Sequence, residues 1–453
     1  MEENSKALTV KTALRIEIVY RLIVELKADS NNPRRRTRKQ IKQIANAIKV
    51  FGFIIPIVID RNGKVICGHG RLLAANLLGL AEAPTIMVEH LTEAQIKAFQ
   101  IADNRLNELS DWNEQLLAEQ LRDLSAQDLD FDLEITGFET GEIDFQIEGL
   151  SLLSDEQEDP ADSLPAPRHG PPVSRAGDVW QLDVHRVHCA SAADEGSYSV
   201  LMQEKKASMI FSDPPYNVPI LGNVSGLGAI KHRDFAMGCG EMNPPQFTDF
   251  LTRICSLFAA NSVDGSLHFI CMDWRHIQEL ITAGRAAYHE LKNICIWIKS
   301  NAGMGSLYRS QHEMIFVFKY GLASHRNNVL LGKYGRNRTN VWSYPSVNSF
   351  GKSGEEGNLL ALHPTVKPAA MVADAIMDCT TRGEVVLDGF LGSGTTVIAA
   401  QRTGRRCYGL EIDPIYVDAI VRRWQSFTGD QAIEASTGRS FDQLQAARGE
   451  EEG

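Results

Sequence analysis

Residues 385–396 read VVLDGFLGSGTT. A short apolar run closes on Asp388, a glycine loop follows, and a helical pattern opens near Thr395. Gly392 and Gly394 let the backbone approach a ligand where a Cβ would clash. The free N–H groups of a helix start suit an electronegative group. The loop has no Lys-Ser/Thr ending and lacks the third glycine of the dinucleotide fingerprint, so it is neither of those phosphate binders. Twenty-three residues beyond Asp388 the next apolar strand, Cys407–Ile412, carries Glu411 to its tip. A carboxylate there can accept both hydroxyl protons of a ribose. A plain strand–turn–helix would use such glycines for geometry alone. The glycine loop together with the strand-tip acid points to a nucleoside-type cofactor.

Upstream, residues 208–216 read SMIFSDPPY. The apolar strand Ser208–Ser212 delivers Asp213 to a strand end, where ligands sit in open α/β sheets. Pro214 and Pro215 remove two donors and fix φ, leaving free carbonyl acceptors on a rigid turn. Tyr216 adds a ring face. A capping Asp beside a packed Tyr would be the bland alternative. The set suits a planar ring with an exocyclic amino group, because two acceptors can take its N–H protons and help localise its lone pair. Methylation at a ring carbon would want a thiolate, and no cysteine here follows a proline.

Around these motifs strands and helices alternate. Further strands are expected at 179–182, 186–189, 266–272, 294–299 and 314–319, and helices at 247–260, 274–286, 366–378, 395–402 and 414–427. This alternation implies a mostly parallel, doubly wound sheet. The tail beyond about residue 437 reads as frayed. Residues 151–176 hold five prolines among acidic and small residues and read as a linker. That divides the chain into 1–150, an acidic Pro-rich linker 151–176, and 177–430.

The chain has 453 residues and a formal net charge of −11. Segment 103–178 holds 20 acidic and four basic residues, so the remainder is net positive and a nucleic-acid partner stays open. No apolar run is long enough for a bilayer and the start of the chain is polar. Eight scattered cysteines without a C-x-x-C pair suggest neither zinc nor disulfides, and a cytoplasmic setting is expected.

The second half resembles the S-adenosylmethionine-dependent DNA amino-methyltransferases that act on adenine N6 or cytosine N4, in the beta-class motif order. The resemblance covers about 178–427. It implies a Rossmann-like methyltransferase sheet with an antiparallel edge strand. It makes Asp213, Pro214, Pro215 and Tyr216 the catalytic residues. It makes Asp388, Phe390, Gly392, Gly394, Thr395, Thr396 and Glu411 cofactor-binding, with His363 and Lys367 of HPTVKP closing over the cofactor. No metal is expected. The Asp form of the turn leans to adenine in this family. Where many relatives carry Cys-Gly-Asp-Ala, this chain has Cys189-Ala190-Ser191-Ala192, with Asp194 the nearest substitute. Target recognition would fall to about 321–362, with Arg326, Lys333, Arg336, Arg338, Lys352 and Trp342. Asn217–Gly240 would form a lid.

Residues 15–125 resemble the smaller α+β ParB-like fold through Asn32-Pro33-Arg34, a strand pair and ICGHGR at 66–71. The matching box of partition proteins binds a nucleotide, which here would meet Gly68, His69 and Arg71. The box departs from theirs at His69. The basic run Arg34, Arg35, Arg36, Arg38 and Lys39 suits DNA phosphates.

The reading is a DNA adenine-N6 methyltransferase acting on double-stranded DNA, with a homodimer left open. Two alternatives remain: the same chemistry on cytosine N4 or on RNA, and a ParB-like DNA-binding regulator with an inactive methyltransferase half.

Overall fold

A computed structural model describes residues 17–30, 32–107, 109–127, 129–152, 160–163, 171–217, 240–300, 307–329, 331, 338–345 and 366–450. The chain forms two compact units, Met1–Leu150 and Ser151–Gly453.

In the first unit, β1 (Ile18–Leu22) precedes α1 (Arg38–Phe51), which the Thr37 side chain caps by accepting from Gln40 N. Strands β2 (Ile57–Ile59) and β3 (Val65–Cys67) flank a turn in which Asp60 accepts from Asn62 N and Lys64 N. Gly68, at φ 99°, starts α2 (His69–Leu78), and β4 (Glu82–Met87) completes a sheet of order β1-β4-β2-β3. Ile57, Ile59, Val65, Leu72 and Ala75 fill its core. Helix α3 (Glu93–Asn107) follows. Then α4 (Glu114–Ser125) and α5 (Thr140–Leu152) share a small core of Leu117, Leu121 and Ile143. The segment 103–148 is strongly acidic. Three apolar residues spaced along it suffice for this local core.

In the second unit the strands are β5 (Val179–Leu182), β6 (His185–Cys189), β7 (Ala207–Ser212), β8 (Ser262–Met272), β9 (Glu290–Ile298), β10 (His312–Lys319), β11 (Val341–Ser343), β12 (Val385–Asp388), β13 (Arg406–Glu411) and β14 (Ile433–Glu434). They form one sheet of order β11-β9-β10-β8-β7-β12-β13-β6-β5-β14. The central run from β8 to β6 is parallel, and β10 and β5 pair antiparallel at its two sides. This is the Rossmann-like sheet with antiparallel additions.

Helices cover both faces because strand residues alternate sides. Met209 and Phe211 face α9 (Ala369–Cys379), α10 (Thr395–Thr403) and α11 (Pro414–Thr428). Ala207 and Ile210 face α6 (Glu195–Met202), α7 (Pro244–Ala260) and α8 (Ile277–Ala287).

Two expectations need correction. The tail is not frayed: α12 (Phe441–Glu450) buries Phe441 and Leu444, with the Phe441 ring 5.2 Å from Trp180. The polar end of the sequence hid two apolar residues three apart, which is enough for one helical face. The linker is in part a strap on this unit. Ala161 is buried, and Val173 N and Ser174 N donate to the Asp418 carboxylate. Proline-rich chain can pack once side chains elsewhere satisfy its few donors. No helix among the described residues is long and apolar enough to cross a membrane.

Candidate active site

Strands β7 and β12 are parallel neighbours, so Ser212 and Asp388 leave the sheet at one edge. Ser212 Oγ donates to Asp388 Oδ1 at 2.8 Å. Phe390 N donates to the same oxygen at 2.9 Å, and Thr396 Oγ1 to Oδ2 at 2.7 Å. Burial pushes Asp388 up to about 6, against the pull of these donors. The carboxylate therefore ties the end of β7 to the loop and to the first turn of α10.

The glycines also have structural duties. Gly394 caps α10 at φ 81°, and a Cβ there would lie 3.0 Å from Ile420. Packing on α11, not only ligand approach, demands glycine at this position. Gly392, at φ 51°, donates its N–H to Glu411 Oε2 at 2.8 Å, and Asp413 N donates to Oε1 at 3.0 Å. Each Glu411 oxygen keeps a second lone pair. Burial pushes this acid up to about 7, the two backbone donors opposing.

The turn at Asp213 is tightly engaged. Tyr216 donates its hydroxyl to Asp213 Oδ1 at 2.5 Å, and Lys367 Nζ donates to Oδ2 at 2.5 Å. Lys367 also lies 3.0 Å from Glu313 Oε2, and Lys299 pairs with Glu313 Oε1. The sequence placed Lys367 with the cofactor loop. Its main-chain oxygen accepts from Thr395 Oγ1 at 3.3 Å and the residue borders the loop's cavity, while its ammonium reaches the Asp213 turn. Burial raises the Asp213 acid, and Lys367 opposes that rise. Glu313 falls to about 2, because the cations Lys367 and Lys299 outweigh its burial. Asp213, Lys367, Phe390, Gly392, Thr395 and Thr396 line one small cavity of ≈ 30 Å³.

Other expected residues fall elsewhere. His363 lies outside the described residues, as do Lys333, Arg336 and Lys352 and most of the Asn217–Gly240 segment. Both ends of that segment are tied to Asn217, whose side chain accepts from Gly240 N and donates to Met242 O. Arg338 is not available to DNA: it pairs with Asp374 and Asp378. Trp342 is likewise buried in the sheet core. A basic and aromatic composition does not distinguish a contact surface from a core ion pair. Arg326 is half-exposed beside Glu384. Asp194, the nearest substitute for the absent upstream carboxylate, caps α6 by accepting from Gly196 N and Ser197 Oγ.

Two contributors had no sequence signal. Arg423 is buried behind the loop and donates to Ser393 O, Thr395 Oγ1 and Ala161 O. Asp162 accepts from Ala369 N at 2.8 Å and so caps α9, two residues beyond Lys367.

In the first unit, Arg34, Arg36, Arg71, Gly68, Gly70 and Asn104 line a cavity of ≈ 420 Å³. Arg71 Nε is buried with no hydrogen-bond partner among the described residues. Burial and the neighbouring Arg34 push Arg36 down. Such crowding of cations suits an anion. His69 lines the same cavity, and its Nε2 accepts from Asp29 N at 3.2 Å. That ring nitrogen is spent on the fold.

Residues 207–422 match the DNA methylase family, residues 115–176 the ParB-methyltransferase HTH domain, and residues 10–105 the ParB N-terminal domain. The chain is 38% identical over 81 residues to the ParB-like nuclease domain-containing protein YnaK of Escherichia coli (strain K12). That match covers 18% of this chain and 93% of YnaK. It is 34% identical over 108 residues to the type II methyltransferase M.ScaI of Streptomyces caespitosus, covering 24% of this chain and 35% of that enzyme. A solved putative DNA modification methylase of Thermus thermophilus, in complex with S-adenosyl-L-methionine, aligns at 21% identity over 55% of this chain and 97% of its own, with a TM-score of 0.38. The chain thus belongs to the ParB-like family through its first unit and carries, in its second, a DNA methylase domain of the N6/N4 amino-methyltransferase family.

Proposed function

We propose that this chain transfers a methyl group from S-adenosylmethionine to the exocyclic N6 of adenine in double-stranded DNA. One observation carries the reading: Asp213 and the 390–396 loop line the same cavity at the edge of adjacent parallel strands. An acceptor for an amino group and a seat for a methyl donor would thus be neighbours.

The residues present fit the cofactor. Glu411 is a buried strand-tip carboxylate with a lone pair left on each oxygen, suited to two ribose hydroxyls. The Gly392–Thr395 turn and the start of α10 would cradle the amino-acid end. Phe390, packed edge-on to Phe250 at 6.3 Å, would flank the adenine ring. When bound, the cofactor supplies an electrophilic methyl sulfonium. Positioning and electrostatics by Asp213 and Tyr216 supply the rest. The cavity of ≈ 30 Å³ is far smaller than these ligands, so side chains must shift as they bind. A duplex base must be flipped out to reach Asp213.

Asp rather than Ser at position 213 favours adenine over cytosine N4. Seven described cysteines are free and six of them buried, in keeping with a reducing cytoplasm. In the first unit, Arg34, Arg36 and Arg71 around Gly68 would take the phosphates of a nucleotide. The test is incubation with labelled S-adenosylmethionine and unmethylated DNA, followed by nucleoside mass spectrometry. N6-methyladenine is expected; N4-methylcytosine would overturn the base assignment, and no label in DNA would overturn the activity.

A further inference from the structure

Both oxygens of Asp213 are engaged, Oδ1 by the Tyr216 hydroxyl and Oδ2 by the Lys367 ammonium, each at 2.5 Å. Lys367 and Glu313 are buried, and Asp213 is nearly so. With Lys299, the cluster holds two carboxylates and two ammonium groups, so its charges cancel. An amino group arriving at Asp213 needs an acceptor that a charge-assisted bond already occupies.

We propose that Lys367 occupies, in the base-free protein, the place of the target amino group on Asp213, and that it is handed to Glu313 when the base arrives. The proposal rests on the reading that Asp213 accepts that amino group. Lys367 and Glu313 are then positioning residues for the acceptor.

Three observations support the exchange. The ammonium already reaches Glu313 at 3.0 Å, so a short side-chain shift suffices. The Lys367 main chain is tied to Thr395, which leaves the shift to the side chain. Trp297, the cross-strand neighbour of Glu313, has its ring 6.0 Å from the ammonium and offers a face beside the new position. Lys367 cannot simply withdraw, because Asp213 and Glu313 would then face Lys299 alone, and an uncompensated buried carboxylate is costly. Nor can it stay on Asp213, since a cation beside the amino nitrogen draws on the lone pair that must attack.

The test measures methyl transfer to unmethylated DNA against pH, and S-adenosylmethionine affinity by calorimetry, for wild type, Lys367→Met, Lys367→Arg and Glu313→Gln. Lys367→Met strips Asp213 of its cation, so the acid limb of kcat/KM for DNA moves up by about 1–3 pH units with cofactor affinity unchanged. Lys367→Arg keeps the limb near wild type but raises KM for DNA, because the larger guanidinium leaves Asp213 less readily. Glu313→Gln keeps Lys367 on Asp213 and raises KM for DNA at unchanged cofactor affinity. An unmoved acid limb in Lys367→Met, or cofactor binding weakened about tenfold or more, overturns the proposal. Should Lys367→Met fail to fold, wild-type KM in Glu313→Gln overturns it alone. If wild type transfers no methyl group, the parent reading fails instead. The Lys367 ammonium ¹⁵N resonance of the protein alone then decides the placement: it must change in Asp213→Asn, and an unchanged signal overturns the proposal.

Discussion

Arg423 donates to the main-chain oxygen of Ser393 at 2.9 Å, across 30 residues, and so fixes the glycine loop from behind. Its other terminal nitrogen bonds Ala161 O at 2.7 Å, which ties the loop to the strap. Burial pushes the guanidinium down to about 10, which still leaves it charged at neutral pH. Arg423→Met is expected to weaken S-adenosylmethionine binding roughly tenfold or more, the scale of losing hydrogen bonds to buried acceptors. Arg423→Lys should rescue little, since one ammonium lacks the fork that spans both carbonyls. Calorimetric titration of the two variants checks this, and wild-type affinity in Arg423→Met would remove it from the loop's support.

Asp213→Asn keeps the shape of the turn and removes its charge. Transfer should fall about 10²–10³-fold, the usual scale for losing one preorganised polar group at a reacting centre. Cofactor affinity should hold, because Glu411 and the 390–396 loop are untouched. A radiolabel transfer assay beside calorimetry separates the two effects. Equal losses in both would place Asp213 in the cofactor seat.

The loop and the turn were legible in the sequence because each rests on local chemistry. Asp-Pro-Pro-Tyr fixes its own backbone, and apolar strands announce the sheet edge that carries it. What surrounds them was not legible. Asp162 meets Ala369 across 207 residues, and Ser212 meets Asp388 across 176. Pairings of that range leave no periodic trace in the chain. Lys367 shows the limit most clearly. Its neighbours in sequence place it by the 390–396 loop, whose cavity it lines, but give no sign that its side chain also pairs with Asp213 and Glu313. Arg338 fails for the opposite reason: an exposed basic run and a buried ion pair have the same composition.

The first unit offers a prediction independent of methyl transfer. Arg71 carries a buried Nε without a partner among the described residues, beside Gly68 at the start of α2. A nucleoside triphosphate should satisfy that donor. Arg71→Ala is expected to weaken triphosphate binding about tenfold or more, the scale of one charge-assisted contact, with the loss shrinking as salt rises. Fluorescent triphosphate titrations at two salt concentrations check it. Equal affinity for wild type and Arg71→Ala would remove Arg71 from that site.

Glu411 makes cofactor affinity depend on pH in a definite direction. Burial holds its acid form up to about 7, despite the donors Gly392 N and Asp413 N. Accepting two ribose hydroxyls requires the ionised form, so binding favours loss of a proton. Affinity should therefore rise with pH through about 7 and level off above it. Below that point it should fall, by up to about tenfold per unit, because each unit corresponds to about 1.4 kcal/mol of protonation work. Proton release on binding, read from calorimetry in buffers of different ionisation enthalpy, gives the same sign. Glu411→Gln should bind more weakly at pH 8 and lose the dependence. If it keeps the wild-type pH profile, another group titrates, and the ribose role of Glu411 is refuted.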